Sequence, residues 1–381
     1  MNVPFNPLGD GALAAAERQR ILCLAVDALA PAMRARAPAL DESGGFPAED
    51  IADLHAAGAL TAPLPVAAGG LGLGTEPDGA APLTQVLRAL GRGNLAVGRL
   101  YEGHVNAILL IARHGSAPQL RRAALDAAAG RLFGLWVTDP PRDALREAAD
   151  GLMHGGKAFC SGAGHAAQAI VTATRGDGGA QLAYLSTDRA VASSLGSRMQ
   201  GMRAAGTGRI SFEGTPVGPD DWIGVPGDYL REPWFSAGAW RTSAVSCGGL
   251  EALVELAMRQ LVARGRDASP HQQGRMGRAW IARETAILWA GRAAAAAERS
   301  TTGEDAAEVV ATVNFARIAI EAACLEAMGL VERSLGLAAF MHPNPIERVR
   351  RDLGTYLRQP AADDVLTEAA AHIMRTRIQP A

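Results

Sequence analysis

The sequence predicts a mainly helical α+β chain. An N-terminal helical domain spans residues 1–130, a small β-barrel 131–233 and a C-terminal four-helix bundle 234–381. Three observations carry this reading. Apolar residues recur at helical intervals up to about residue 130, and short apolar runs broken by Gly, Asp and Pro fill the next hundred positions. Long amphipathic stretches then return and continue to the C-terminus.

In the first zone, Ile21, Leu22, Ala25, Val26 and Leu29 give the span Leu13–Arg36 a helical period, with Pro31 expected to bend or end it. Phe46-Pro47-Ala48-Glu49 opens a second helix, proline falling where a missing N–H costs little, and Leu54, Ala57 and Leu60 form its stripe. A glycine-rich loop follows from Val66 to Gly74. Further helices fit residues 82–91, 94–113 and 117–129.

In the middle zone, Leu132–Thr138, Ala169–Thr174, Gln181–Leu185 and Arg209–Phe212 carry strand signals bounded by turn residues. Their number and spacing suggest a small antiparallel barrel or sandwich. In the last zone, Trp234–Arg264, Gly274–Glu298 and Glu304–Leu335 read as long helices. Pro343 and Pro345 interrupt the pattern before Ile346–Leu357 resumes it.

The chain has 381 residues, 48% of them hydrophobic, and a net charge of −2, enough for a large core. No apolar run reaches the roughly eighteen residues needed to cross a bilayer. The opening MNVPFNPLGDG lacks the layout of a secretory signal, so a cytoplasmic protein is expected, without membrane association. Cys23, Cys160, Cys247 and Cys324 lie far apart, which indicates neither a disulfide framework nor a metal site. Lys157 is the sole lysine among 37 basic residues, a bias that fits a GC-rich coding sequence. No basic stripe with interleaved aromatics points to nucleic acid.

Several motifs, in order and over nearly the whole chain, resemble the acyl-CoA dehydrogenase superfamily, whose fold has this helix–barrel–helix order. Phe46-Pro47, Gly58-Ala59-Leu60 and Gly69-Gly70-Leu71-Gly72 resemble its opening helices and glycine loop. Trp136-Val137-Thr138-Asp139-Pro140 is similar to its T-E-P flavin strand, where main-chain amides and a hydroxyl hydrogen-bond the flavin ring. The usual glycine-rich turn that follows is replaced by Pro141-Arg142-Asp143-Ala144, a departure at the contacts to cofactor phosphate or substrate.

Gly156-Lys157-Ala158-Phe159-Cys160-Ser161 resembles the next family strand, which implies that Phe159 stacks near the flavin and the Ser161 hydroxyl reaches its edge. The continuation through His165-Ala166 is similar to flavin monooxygenases of the same fold, although a surface-loop histidine is the plainer reading of His165. Met202-Arg203 to Phe212 and Val217-Gly218-Pro219 resemble the barrel's ending. Arg264 or Arg266 stands where the family has an arginine that binds the FAD pyrophosphate of a neighbouring subunit, and both remain open. Gly336, then Pro345 through Arg351-Asp352, resembles the family's C-terminal signature, with Tyr356 on its tyrosine. Leu337 and Ala339 replace two glycines beside the cofactor.

The resemblance implies an FAD-dependent oxidoreductase acting on an acyl-CoA, an acyl carrier protein thioester or a related small molecule. It also implies a homodimer or homotetramer, and leaves the electron acceptor open. Dehydrogenation there needs a glutamate to take the α-proton while hydride passes to the flavin. That glutamate falls eight residues after Asp352, where this chain has Pro360; the alternative position, before Arg241, is Trp240. Glu102 stands on a position at the far end of the acyl pocket, and Arg241 where family members often have an arginine at the start of the long helix beside the active site. The expected substrate pocket is therefore Glu102, Trp240, Arg241 and Pro360, and no catalytic residue is assigned. Asp363 and Asp364 read as turn residues on a loop, and Glu251 and Glu255 as ordinary helix residues. A flavin monooxygenase of the same fold, which needs no base at Pro360, is the alternative. A non-catalytic flavoprotein-like binding protein is the third reading.

Overall fold

The structure is a computed structural model describing residues 15–176, 178–299 and 306–378. The MNVPFNPLGDG stretch, Leu13 and Glu304 lie outside the described residues. The N-terminal part consists of α1 (Ala15–Ser43), α2 (Ala48–Ala56), α3 (Ala80–Gly93), α4 (Leu95–His114) and α5 (Ala117–Ala128). Asn94 starts α4 by accepting the Ala96 amide at 3.0 Å, and Ser116 with Gln119 forms a reciprocal cap on α5.

Helix α1 corrects the expectation at Pro31, since it runs unbroken through both Pro31 and Pro38. Each proline removes one backbone hydrogen bond, but Leu22, Val26, Ala30, Met33 and Ala37 are buried along one face, mainly against α3. That burial outweighs the roughly 3 kcal/mol a proline costs inside a helix. Arg36 further joins α1 to α2 through ion pairs with Glu49, Asp50 and Asp53.

The middle part has β1 (Phe133–Trp136), β2 (Arg146–Glu147), β3 (Leu152–His154), β4 (Gly156–Cys160), β5 (Gln168–Thr174), β6 (Ala180–Ser186), β7 (Val191–Ser194), β8 (Gly208–Ser211), β9 (Thr215–Pro216) and β10 (Trp222–Ile223). One sheet has the order β10-β6-β5-β2-β3-β9, with β1 also on β5; the other is β4-β8-β7. The expectation of purely antiparallel strands is corrected: β1 and β2 both run parallel to β5. The chain makes a long excursion through β2–β4 between β1 and β5, and a crossover of that length permits parallel pairing. Trp136, Met153, Cys160, Val171 and Phe212 fill the interior.

The C-terminal part comprises α6 (Trp234–Ala237), α7 (Ala239–Ala263), α8 (Pro270–Arg299), α9 (Ala306–Leu335), α10 (Pro345–Tyr356) and α11 (Ala362–Arg377). The single helix expected from Trp234 is split at Gly238. Asp363 and Asp364 lie in the first turn of α11 rather than on a loop, where acidic side chains favour the helix N-terminus. Helices α3 and α7 cross on glycines. A Cβ on Gly91 would fall 2.1 Å from the Val245 carbonyl oxygen, and one on Gly248 2.1 Å from that of Arg88. Glu251 is more than an ordinary helix residue: it is buried between Arg88 at 2.8 Å and Arg283 at 3.1 Å.

The four cysteines are free and buried. No helix among the described residues is long and apolar enough to cross a membrane.

Candidate active site

Helices α4, α6, α7 and α9, strand β1 and the α10–α11 link enclose a cavity of about 440 Å³. Arg99, Glu102 and Asn106 are spaced i, i+3, i+7 along α4 and present one face to it. Glu102 is buried and receives three groups: Arg99 in an ion pair, the Asn106 amide nitrogen, and the Thr242 hydroxyl at 3.4 Å. With its amide nitrogen on Glu102, Asn106 turns its oxygen toward Arg241, whose Nε donates to it. Burial lowers the Arg241 pKa to about 10, with the nearby Arg113 charge acting in the same direction.

The other carboxylates lining the cavity are also engaged. Asp228 pairs with Arg231 at 2.7 Å and lies 3.5 Å from His114; Glu321 pairs with Arg358 at 2.7 Å. Pro360 lines the cavity, and what it offers there is a carbonyl oxygen that accepts from the Arg317 guanidinium. Asp363 and Asp364 are exposed and do not line the cavity. Trp240 requires a correction. It packs into the helical core and is 2% exposed, because residue 241 on α7 takes the cavity-facing direction and turns residue 240 inward.

On the barrel side, Leu135 and Val137 line the cavity and Thr138 follows, exposed, its carbonyl accepting the Ala158 amide at 2.9 Å. The Trp136 indole faces the barrel core, and its Nε1–H donates to the Ser161 carbonyl at 2.9 Å. Any contact of Trp136 with a bound ring is thus left to its backbone. Buried Lys157 anchors this loop, donating to Asp139 at 2.5 Å, Thr172 at 2.9 Å and the Val137 carbonyl at 3.5 Å. The Ser161 hydroxyl accepts from Arg99 Nε at 3.2 Å, which joins the barrel to the polar cluster of α4.

Phe159 is the strained residue of this face. It sits at an irregularity in the β4–β8 pairing with φ of 54°, and the residue is 67% exposed. A bulky residue held left-handed with its ring in solvent gains nothing from the fold itself, and such strain concentrates at ligand sites. This fits a planar aromatic group against β4. His165 lies exposed on the following loop, stacked on Phe46 with ring centres 4.0 Å apart.

Arg264 and Arg266 are exposed in the turn that closes α7, where Gly265 takes φ of 62° and the Arg266 amide bonds the Leu261 carbonyl at 2.9 Å. Neither lines the cavity. Gly336 also takes a positive φ, 61°, as the chain leaves α9.

Asn106, Arg113, Asn314 and Arg317 line the cavity as well, and sequence reasoning missed them. Asn106 was detectable in principle, four residues beyond Glu102 on one helix face. The α9 pair carried no local signal.

Residues 16–131 match the family model of the acyl-CoA dehydrogenase N-terminal domain. Comparison with curated protein sequences gives no match. Among solved structures, KijD3 in complex with FMN and a dTDP-amino-keto sugar is 22% identical, covering 96% of each chain with a TM-score of 0.81. Dibenzothiophene monooxygenase TdsC from Paenibacillus sp. A11-2 is 21% identical, covering 94% of this chain and 98% of its own, with a TM-score of 0.81. A glutaryl-coenzyme A dehydrogenase in complex with glutaryl-CoA is 19% identical, covering 97% and 98%, with a TM-score of 0.81. The chain thus has the fold of the acyl-CoA dehydrogenase superfamily, as its motifs led one to expect, and these neighbours include both dehydrogenases and monooxygenases.

Proposed function

We propose that this chain, built on the acyl-CoA dehydrogenase fold, is a flavin-dependent monooxygenase of a small polar molecule rather than a dehydrogenase of acyl thioesters. One observation carries this reading: each carboxylate lining the cavity is already held by an arginine, and the expected base position offers a proline carbonyl. Both Glu102 oxygens are taken up, one by Arg99 and the other by Asn106 and Thr242, so neither is left to meet a substrate proton. The Arg99–Glu102–Asn106–Arg241 cluster also makes the end of the cavity polar, which disfavours an alkyl chain.

Thr138, Phe159 and Ser161 are the residues that would hold the flavin ring. A bound flavin supplies two-electron redox chemistry and, when reduced, activation of dioxygen. The expectation of FAD is narrowed in this proposal to FMN. The ring-side motifs are kept, whereas the departures after Pro140, at Arg264–Pro270 and at Leu337 and Ala339 fall in segments that the resemblance assigns to the rest of FAD. KijD3 and TdsC, both solved with FMN, are consistent with this. A homodimer or homotetramer belongs to the same proposal, since Arg264 and Arg266 could meet a cofactor only on a neighbouring copy.

The test is a pair of reactions on the flavin-loaded protein. Anaerobic butyryl-CoA or glutaryl-CoA should leave the flavin spectrum unbleached. Reduced FMN in air, with a panel of small aromatic and amino-sugar substrates, should give a product carrying one oxygen atom from dioxygen. Bleaching by an acyl-CoA returns the dehydrogenase reading, and failure to take up FMN or FAD leaves a non-catalytic binding protein.

A further inference from the structure

The arginines around the cavity are not all balanced. Arg99 is paired with Glu102, but Arg113, Arg241 and Arg317 have no carboxylate within ion-pair distance among the described residues. Arg241 makes one side-chain hydrogen bond, through Nε to Asn106, and its two terminal nitrogens have no hydrogen-bond acceptor among the described residues. Arg113 lies over the Trp234 ring, its guanidinium carbon 4.6 Å from the ring centre, with neither ion pair nor hydrogen bond among the described residues.

This imbalance follows from how the cluster is wired. Among the described residues Glu102 is the one carboxylate acting on Arg241, and it is already paired with Arg99. Asn106 stands between them and gives Arg241 a neutral acceptor. Arg241 is half-buried, and a guanidinium partly withdrawn from water without a counter-charge offers its forked donors to a carboxylate or phosphate. A second observation points the same way. Asn314 on α9 is 3% exposed, lines the cavity and makes no side-chain hydrogen bond among the described residues. Its amide faces the cavity and has no partner among the described residues. Arg317, one turn on, directs one nitrogen to the Pro360 carbonyl and has no other hydrogen-bond or ion-pair partner among the described residues. The remaining walls, among them Leu109, Leu135, Val137 and Leu357, are apolar.

We infer that the cavity takes a small organic anion, with its carboxylate or phosphate on Arg241 and Arg113, its apolar body against the leucine and valine walls, and a further polar substituent on Asn314. This deepens the proposed function, because it names the substrate class of the same site. A cavity of about 440 Å³ suits a single-ring compound.

The experiment is calorimetric binding of three probes of one shape, benzoate, phenyl phosphate and benzyl alcohol, to the flavin-free and flavin-loaded chain. Benzoate or phenyl phosphate should bind and benzyl alcohol should bind at least tenfold more weakly; whichever anion is tighter identifies the group. Arg241→Gln should weaken the anion by about 10- to 100-fold while leaving benzyl alcohol unchanged, and Arg241→Lys should recover part of the loss. Arg259→Gln, on an exposed pair with Glu255, controls for net charge. Equal binding of the three probes, no binding of either anion, or equal anion affinity in Arg241→Gln overturns the inference. If Arg241→Gln does not fold, Arg113→Gln at the more exposed mouth must show the same selective loss. Anion selectivity in a chain that takes up no flavin would sustain this inference and sink the proposed function; oxygen transfer to neutral substrates alone would do the reverse.

Discussion

Asp352 accepts the backbone amide of Met202 at 2.6 Å across 150 residues of sequence, and its second oxygen accepts from Arg348 at 3.0 Å. The Arg-Asp pair of the C-terminal signature is therefore a structural clasp. Arg351 points the other way, to Asp41 at 2.6 Å and the Gln200 carbonyl at 2.6 Å, so that α10 ties α1 to the end of the barrel.

Asp352→Ala should cost about 3–5 kcal/mol, because it leaves buried Arg348 without its partner and the Met202 amide without an acceptor. Asp352→Asn keeps an acceptor and should cost less. Urea denaturation midpoints check the order.

Phe159→Gly should separate stability from binding. Glycine accepts φ of 54° without strain, and the exposed ring contributes little burial, so the variant should unfold later by up to ~1 kcal/mol. Its affinity for flavin should fall at least tenfold, and Phe159→Trp should retain it. Unchanged flavin affinity in Phe159→Gly, measured by fluorescence titration, would remove Phe159 from the site.

Lys157→Met should loosen the loop that presents Thr138. The methionine preserves most of the buried stem but removes the donor to the Thr172 hydroxyl and leaves the Val137 carbonyl only the Thr172 hydroxyl at 3.3 Å, at about 2 kcal/mol. Trypsin cleavage after exposed Arg142 should accelerate, together with weaker flavin binding. Cleavage at the wild-type rate would show that the lysine does not hold this loop.

His104 predicts the acid limb of stability. Its Nδ1 accepts the Phe133 amide at 3.2 Å, so the proton sits on Nε2 and is donated to the Leu60 carbonyl at 2.7 Å. Burial lowers its pKa from 6.5 to about 4. The unfolded chain therefore binds the proton first as pH falls. The contribution is fully present above about pH 6.5 and is lost as pH falls through about 4, ~3 kcal/mol in all. Melting temperatures from pH 7.5 to 4.5 should decline, and the decline should be shallower in His104→Gln, although that variant is less stable at pH 7.5.

Sequence periodicity determined the helix–strand–helix order and most boundaries of the elements it marked to within a few residues, and the motif resemblance singled out position 360, where the sequence has a proline. These are local properties, because a period of 3.6 or 2 and a side chain's identity do not depend on distant residues. Tertiary packing decided the rest. It carried α1 through two prolines, buried Trp240 while Arg241 faces the cavity, set β1 and β2 parallel to β5, and matched each cavity carboxylate to an arginine. Among the described residues it also left Arg241 without a counter-charge and Asn314 without a hydrogen-bonded partner. Charge balance in a cavity is a sum over groups far apart in the chain, and it exists only once the fold has brought them within a few ångströms of each other.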